Sequence, residues 1–347
     1  MEQNENIRLS TYARGGGCGC KIAPAVLQEI IAKVKVAPRG NLISGNNHHE
    51  DAAVWDMGGG DCIISTTDFF MPVVDDAYDF GAIAAANALS DVYAMGGQPF
   101  MALSVLGWPV EKLPAALAAR VLEGAADVCR EAGVVLAGGH SIDSSEPFFG
   151  LSVNGRISQN QVKFNNSVAE GDCLYLTKPL GTGMLSTALK RGLLNEAEHY
   201  PSLAGWMKKL NVIGSKLSAV KGVNALTDVT GFGLVGHLLE MLETSPCSAE
   251  LWSDKIPLMQ GVETCLGSFI YPDMTMRNFN AVRAYCSELD GRNLLIFCDP
   301  QTSGGLLISV EADARTVVEE LLVSDGSMVS CIGRLVKQQD KRIFVSS

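Results

Sequence analysis

Apolar residues recur along this chain at two periods. CIISTT (62–67), FMALSVLGW (100–108), VVLAG (134–138), FFGLSVNGRI (148–157) and CLYLT (173–177) are short runs rich in β-branched and aromatic residues, which predicts strands. Between them, DFGAIAAANALSDVYAM (79–95) is alanine-rich with long apolar stretches and predicts a well-buried helix. KLPAALAARVLEGAADVCREAG (112–133) predicts a second helix, with proline near its start and glycine at its end. This alternation implies a mixed α/β unit ending near residue 157. The polar stretch SQNQVKFNNSVAEGD (158–172) reads as a linker. Beyond it, SLAGWMKKLNVIGSKLSAV (202–220), LVGHLLEMLE (234–243) and EADARTVVEELLV (311–323) predict helices. LLIFCD (294–299), GLLISV (305–310) and SCIGRLV (330–336) predict strands of an α+β unit. The expected organisation is a flexible glycine-rich segment (1–50), an α/β domain (51–157), a linker (158–172) and an α+β domain (173–347).

Composition supports two cores: hydrophobic residues make up 47% of the chain and charged residues 19%. The net charge of −11, with no lysine- or arginine-rich run, argues against a nucleic-acid partner. Such a chain can still bind a polyanion if metal ions sit between them. No run of 18 apolar residues suggests a membrane span, and MEQNENIRLS lacks the apolar core of a signal peptide. Most of the ten cysteines are isolated in apolar surroundings and read as reduced, which points to the cytoplasm.

Cys18 and Cys20 differ, because they sit in GGGCGCK (15–21) beside Lys21. Glycines let such a segment fold over a ligand, and nearby cations (Lys21, Arg14) raise the thiolate fraction of a cysteine. The alternative is an idle glycine-rich leader. Asp51, Asp68, Asp91 and Asp228 stand at the edges of apolar runs or beside glycines. Each one alone fits helix capping. Together they suit a hard cation such as Mg²⁺, which binds through a few carboxylates plus substrate phosphates. Gly138-Gly139-His140-Ser141 reads as a turn after a strand, where backbone N–H groups could meet an anion. Gly181-Thr182-Gly183 resembles it at a helix start, and no Walker-type loop is present. Asp299-Pro300-Gln301-Thr302-Ser303-Gly304-Gly305 reads as a structural turn.

Taken together, GCGCK (17–21), STTDFF (65–70), NALSDVYAMGG (87–97), AGGHSID (137–143), LTKPLGTG (176–183), LTDVTGFGL (226–234) and CDPQTSGGLL (298–307) resemble, in order and spacing, the selenophosphate synthetases (selenide, water dikinases). The resemblance runs over nearly the whole chain. It implies the two-domain α+β fold of the aminoimidazole-ribonucleotide synthetase superfamily, a homodimer, and conversion of ATP, selenide and water into selenophosphate, AMP and phosphate. It also implies catalytic roles for Cys18 and Lys21, and magnesium ligation by Asp51, Asp91 and Asp228. ATP contacts are implied for Lys21, His48, His49, Glu50, Asp68, Asp91, Gly139, His140 and Ser141. Mg²⁺ is the implied cofactor with ATP as substrate, a monovalent cation is a further candidate, and a selenium-delivery protein is a candidate partner. The chain departs from the family pattern at Asn47-His48-His49-Glu50 and at Arg14, where a histidine is common. Two other classes compete: a relative acting on a purine precursor or thiamine phosphate, and a non-catalytic module holding a soft metal through Cys18 and Cys20. The latter pair supplies only half a tetrahedral site.

Overall fold

The structure is a computed structural model describing residues 7–13, 15–22, 24–31, 33–34, 40–45 and 50–346. Its first half holds strands β1 (Leu42–Ser44), β2 (Ala53–Gly58), β3 (Asp61–Phe70), β4 (Gln98–Trp108), β5 (Val135–Asp143) and β6 (Phe148–Ser158). They form a six-stranded sheet in the order β1-β2-β3-β6-β4-β5, antiparallel except for the β4–β5 pair. Alternation sends Ile64 and Phe70 of β3 and Phe149, Leu151 and Val153 of β6 toward the helix Ala77–Ala94. That helix is buried on nearly every side because it packs on the sheet, on the helix Ala115–Glu131 and on the second half of the chain.

The second half holds β7 (Cys173–Leu176), β8 (Val223–Asp228), β9 (Cys247–Trp252), β10 (Leu306–Val310), β11 (Ser330–Lys337) and β12 (Ile343–Ser346). Their order is β12-β9-β11-β7-β10-β8, antiparallel except for β12–β9. One hydrophobic core runs through both halves, from Val54 and Phe80 to Leu234 and Phe297, with a smaller cluster under the helix Arg315–Asp325. The eight cysteines whose side chains are described are free thiols, six of them buried. No helix among the described residues is long and apolar enough to cross a membrane.

Three local expectations fail. LLIFCD is not a strand: Gly291–Phe297 is helical, started by Asp290, whose side chain accepts from Asn293 N at 2.7 Å. The segment 202–220 is two helices, Glu196–Lys208 and Ile213–Leu217. The break frees the buried Asn211 to donate to Ser90 Oγ (2.8 Å) and Gly304 O (2.9 Å). The third concerns Gly138-Gly139-His140-Ser141, which is not a turn but lies within β5. Positive φ at Gly138 and Gly139 absorbs a bulge against β4, and the strand then runs on to Asp143.

Candidate active site

Four elements bring the aspartates together. Asp51 precedes β2, Asp68 lies in β3, Asp91 occupies the last turn of the helix Ala77–Ala94, and Asp228 ends β8. A polar neighbour from another part of the chain orients each one. Asp51 Oδ1 accepts from Thr227 Oγ1 (2.9 Å), Asp91 Oδ2 from Thr66 Oγ1 (2.6 Å) and Asp68 Oδ2 from Asn87 Nδ2 (2.7 Å). Asp228 is hydrogen-bonded by Ser90, one residue before Asp91. Burial, then the charges of Asp228 and Asp91, pushes the Asp51 pKa well above the carboxylate range. Burial and Asp228 do the same to Asp91. Asp228 is raised by burial, against the pull of Ser90, His237 and Lys21. Glu50 accepts from Asn165 N at 3.0 Å, and burial pushes it up to about 7.

Lys21 reaches this cluster from the glycine segment. Its Nζ lies 3.8 Å from Asp68 Oδ2 and 6.0 Å from the centre of the Phe232 ring, so it faces both halves of the chain. The segment is docked rather than trailing. Gly17 N donates to Met71 O (2.9 Å), and Lys190 Nζ donates to Ala13 O (3.1 Å). Gly17 has φ +56°, and a Cβ there would stand 2.1 Å from Thr302 Oγ1. Only glycine satisfies both conditions. Residues Gly17–Cys20 form a single 3₁₀ turn. The side chain of Cys18 and all of His48 and His49 lie outside the described residues.

Beneath the segment, the Asp299–Gly305 loop interlocks with the start of the helix Thr182–Lys190. Gln301 Oε1 accepts from Gly181 N (3.0 Å) and Thr182 N (3.2 Å), while Asp299 Oδ2 accepts from Gly183 N (3.1 Å). The Gly181-Thr182-Gly183 amides are therefore filled by the protein itself and are not an open anion site. Lys178, buried, donates to Ser303 O (2.9 Å) and Lys209 O (2.6 Å), and burial pushes its pKa down to about 7 against the charge of Asp228. Ser303 N donates to Asn87 Oδ1 at 2.8 Å, so this loop also holds the amide that orients Asp68. Sequence reasoning missed Thr66, Asn87, Ser90, Thr227, Lys178 and Gln301. The only signal was that each sits inside a motif already singled out for a neighbouring residue.

Gly139-His140-Ser141 does not join the cluster within one chain. The register places Gly139 in the same row as Asp68 but three strands away, about 14 Å. His140 projects on the opposite face of the sheet from Asp68.

No three His, Cys, Asp or Glu side chains among the described residues form a ready-made metal cage. What the cluster does hold is two buried oxygens, Oδ2 of Asp51 and Oδ2 of Asp228, that accept no hydrogen bond. Unsatisfied carboxylate oxygens between mutually repelling, desolvated acids fit a hard cation that completes its shell with substrate oxygens.

The two halves match the family models "AIR synthase related protein, N-terminal domain" over residues 49–157 and its C-terminal counterpart over 169–346. Solved structures share this fold. A thiamine-monophosphate kinase from Stenotrophomonas maltophilia K279a superposes with a TM-score of 0.65 at 21% identity, covering 94% of this chain and 96% of that one. The hydrogenase maturation protein HypE in complex with ATP superposes at 0.63 with 18% identity, covering 95% and 90%. Curated relatives are more specific. The selenide, water dikinase of Photobacterium profundum is 51% identical over 314 residues, covering 90% of each chain. That of Pasteurella multocida is 47% identical over 342 residues, covering 98% of this chain and 97% of its own. The chain belongs to the selenide, water dikinase family.

Proposed function

We propose that this protein converts ATP, selenide and water into selenophosphate, AMP and phosphate, which would supply the selenium donor for selenocysteine and selenouridine formation. The observation that carries the proposal is Lys21, which a cysteine-bearing segment holds 3.8 Å from Asp68 at the edge of an acidic cluster. Phosphoryl transfer rests on positioning and charge neutralisation. Asp51, Asp91 and Asp228 would hold Mg²⁺, which when bound offsets the triphosphate charge. A monovalent cation is a second candidate counter-ion.

Lys21 places an ammonium against the transferring phosphoryl group while Asp68, fixed by Asn87, orients that ammonium. Cys18 captures or orients selenide, a soft nucleophile matched to sulfur. The docked segment excludes water from the first intermediate. His48, His49, Glu50, Asp68, Asp91, Gly139, His140 and Ser141 are assigned to the nucleotide.

A homodimer is supported by the open face of the first sheet. There Phe69, Leu103, Val135 and Ile142 stand exposed beside Phe148, an apolar surface suited to a second copy. Free, mostly buried thiols among the described residues support a reducing cytoplasm; a delivery protein would bring the selenide. We propose the four-segment division at 1–50, 51–157, 158–172 and 173–347 as the working domain boundaries.

The test is phosphorus NMR of products from Lys21→Met and Cys18→Ser. The expected result is loss of selenide-dependent AMP and selenophosphate in both. An unchanged selenophosphate yield in both would remove the loop chemistry.

A further inference from the structure

Lys21 separates two compartments. One is the acidic cluster. The other is a cavity of about 1030 Å³ between the glycine segment, the end of β3, the helix Thr182–Lys190 and the helix Asp273–Val282. None of Asp51, Asp68, Asp91 or Asp228 lines it. Among the described residues its charged walls are instead Lys21, Lys190, Arg191 and Arg277 against Glu146 and Asp273. In a chain of net charge −11, four cations against two carboxylates make a local reversal of sign.

Arg191 and Arg277 carry the inference. Arg8 is paired with Asp75, Arg292 with Glu263 and Arg334 with Glu250, whereas Arg156 and Arg283 elsewhere, like the two cavity arginines, carry no ion pair or side-chain hydrogen bond among the described residues. Arg191 and Arg277 have no hydrogen-bond or ion-pair partner among the described residues. Two unpaired guanidinium groups on one cavity offer ten N–H donors between them in fork geometry, the arrangement that recognises a tetrahedral oxyanion. The excess of about two positive charges suits a dianion rather than a metal-bound triphosphate, whose counter-charge belongs on the aspartate side.

We propose that this cavity is a metal-free binding site for a phosphate-class oxyanion, the orthophosphate or selenophosphate product, with Arg191 and Arg277 as its anchors. The proposal rests on the reaction proposed above. It gives the site two doors: metal–nucleotide on the aspartate side of Lys21, and free oxyanion on the arginine side.

The test is calorimetric titration of the full chain, free of nucleotide and with EDTA present, with sodium phosphate and separately with sodium thiophosphate, a stable stand-in for selenophosphate. The expected result is saturable one-to-one binding that Arg191→Ala or Arg277→Ala each weakens about tenfold or more and that added NaCl also weakens. Tighter thiophosphate assigns the site to selenophosphate, and tighter phosphate assigns it to orthophosphate. The proposal is overturned if the wild type shows no saturable binding or if both variants bind as it does. It is equally overturned if both lose Mg·ADP affinity in the same proportion, which would place the arginines in the nucleotide site. A protein that forms no AMP with selenide would defeat the proposed reaction while leaving this titration to decide the site.

Discussion

Two buried aspartate groups lie on either side of the glycine segment, and they end in opposite ways. Asp299 sits in a polar cluster that closes over one of its oxygens: Gly183 and Gln301 donate to its Oδ2 while its Oδ1 accepts no hydrogen bond, and Gln301 spends its remaining amide groups on Asp299 O and the Gly181-Thr182 amides. Asp51, Asp91 and Asp228 repel one another, and two of their oxygens accept nothing. Both groups are desolvated carboxylates in glycine-rich motifs, and either one, seen alone, reads as a cap or as a ligand. The difference teaches that a gathering of like charges, more than a single unpaired oxygen, separates function from structure. A lone buried carboxylate tied into a hydrogen-bonded network holds a loop in place, whereas several of one sign, with oxygens that accept nothing, are waiting for something from outside the chain.

The largest expected effect tests the open cluster. Asp228→Asn removes one of the mutually repelling charges while keeping the shape, so the metal- and nucleotide-free protein should melt a few degrees higher. AMP formation should fall by about 100-fold or more, as when a group aimed at transition-state charge is lost. Thermal melts with and without Mg²⁺, beside an AMP assay, check both signs at once. A variant that melts lower and stays active would make Asp228 a structural residue like Asp299.

The next effect lies where the segment crosses between the two groups. Gly17→Ala adds a Cβ at φ +56° that would stand 2.1 Å from Thr302 Oγ1. Because this contact holds the segment against the core rather than building the core, the expected outcome is about a tenfold loss of selenide-dependent AMP with an unchanged chemical-denaturation midpoint. A matched loss of stability would show the segment to be part of the fold and would blur the distinction.

How far all this was legible varies with the range of the interactions. β3, β4 and β6 follow from period-two patterning, and the helix Ala77–Ala94 from its alanine-rich apolar run. LLIFCD is apolar at every position but its last, which a buried helix and a buried strand share, and the Asp290 cap that decides it is one residue wide. The aspartates of the open cluster stood out because each interrupts an apolar run. Their orienting partners did not, since Thr227 meets Asp51 across 176 positions and Asn87 meets Ser303 across 216. From the sequence the closed cluster reads as a structural turn, and its hydrogen bonds agree. That it also supports Asn87, and through it Asp68, depends on long-range contacts that no local pattern encodes.

The smallest effect separates the two groups by protonation alone. Burial, opposed only in part by bonds from Gln301, Met184 and Gly183, pushes the folded pKa of Asp299 from 3.8 up to about 7. Between those two values the folded state holds a proton that the unfolded chain has released. Stability contributed by this group is therefore present below pH 3.8 and is lost as pH rises toward about 7. Asp299→Asn cannot ionise, and its new amide hydrogens would take the position of Oδ1, which accepts no hydrogen bond. The variant should remove a slope of at most ~1.4 kcal/mol per pH unit from the stability curve over that window while leaving AMP formation near that of the wild type. Urea unfolding at pH 5, 6 and 7 without metal measures the slope. Asp51, Asp91 and Asp228 add slopes of the same sign in both proteins, so the wild-type minus variant difference isolates Asp299. Parallel curves would mean that Asp299 stays ionised inside its hydrogen bonds, and the closed cluster would then hold a full negative charge by geometry alone.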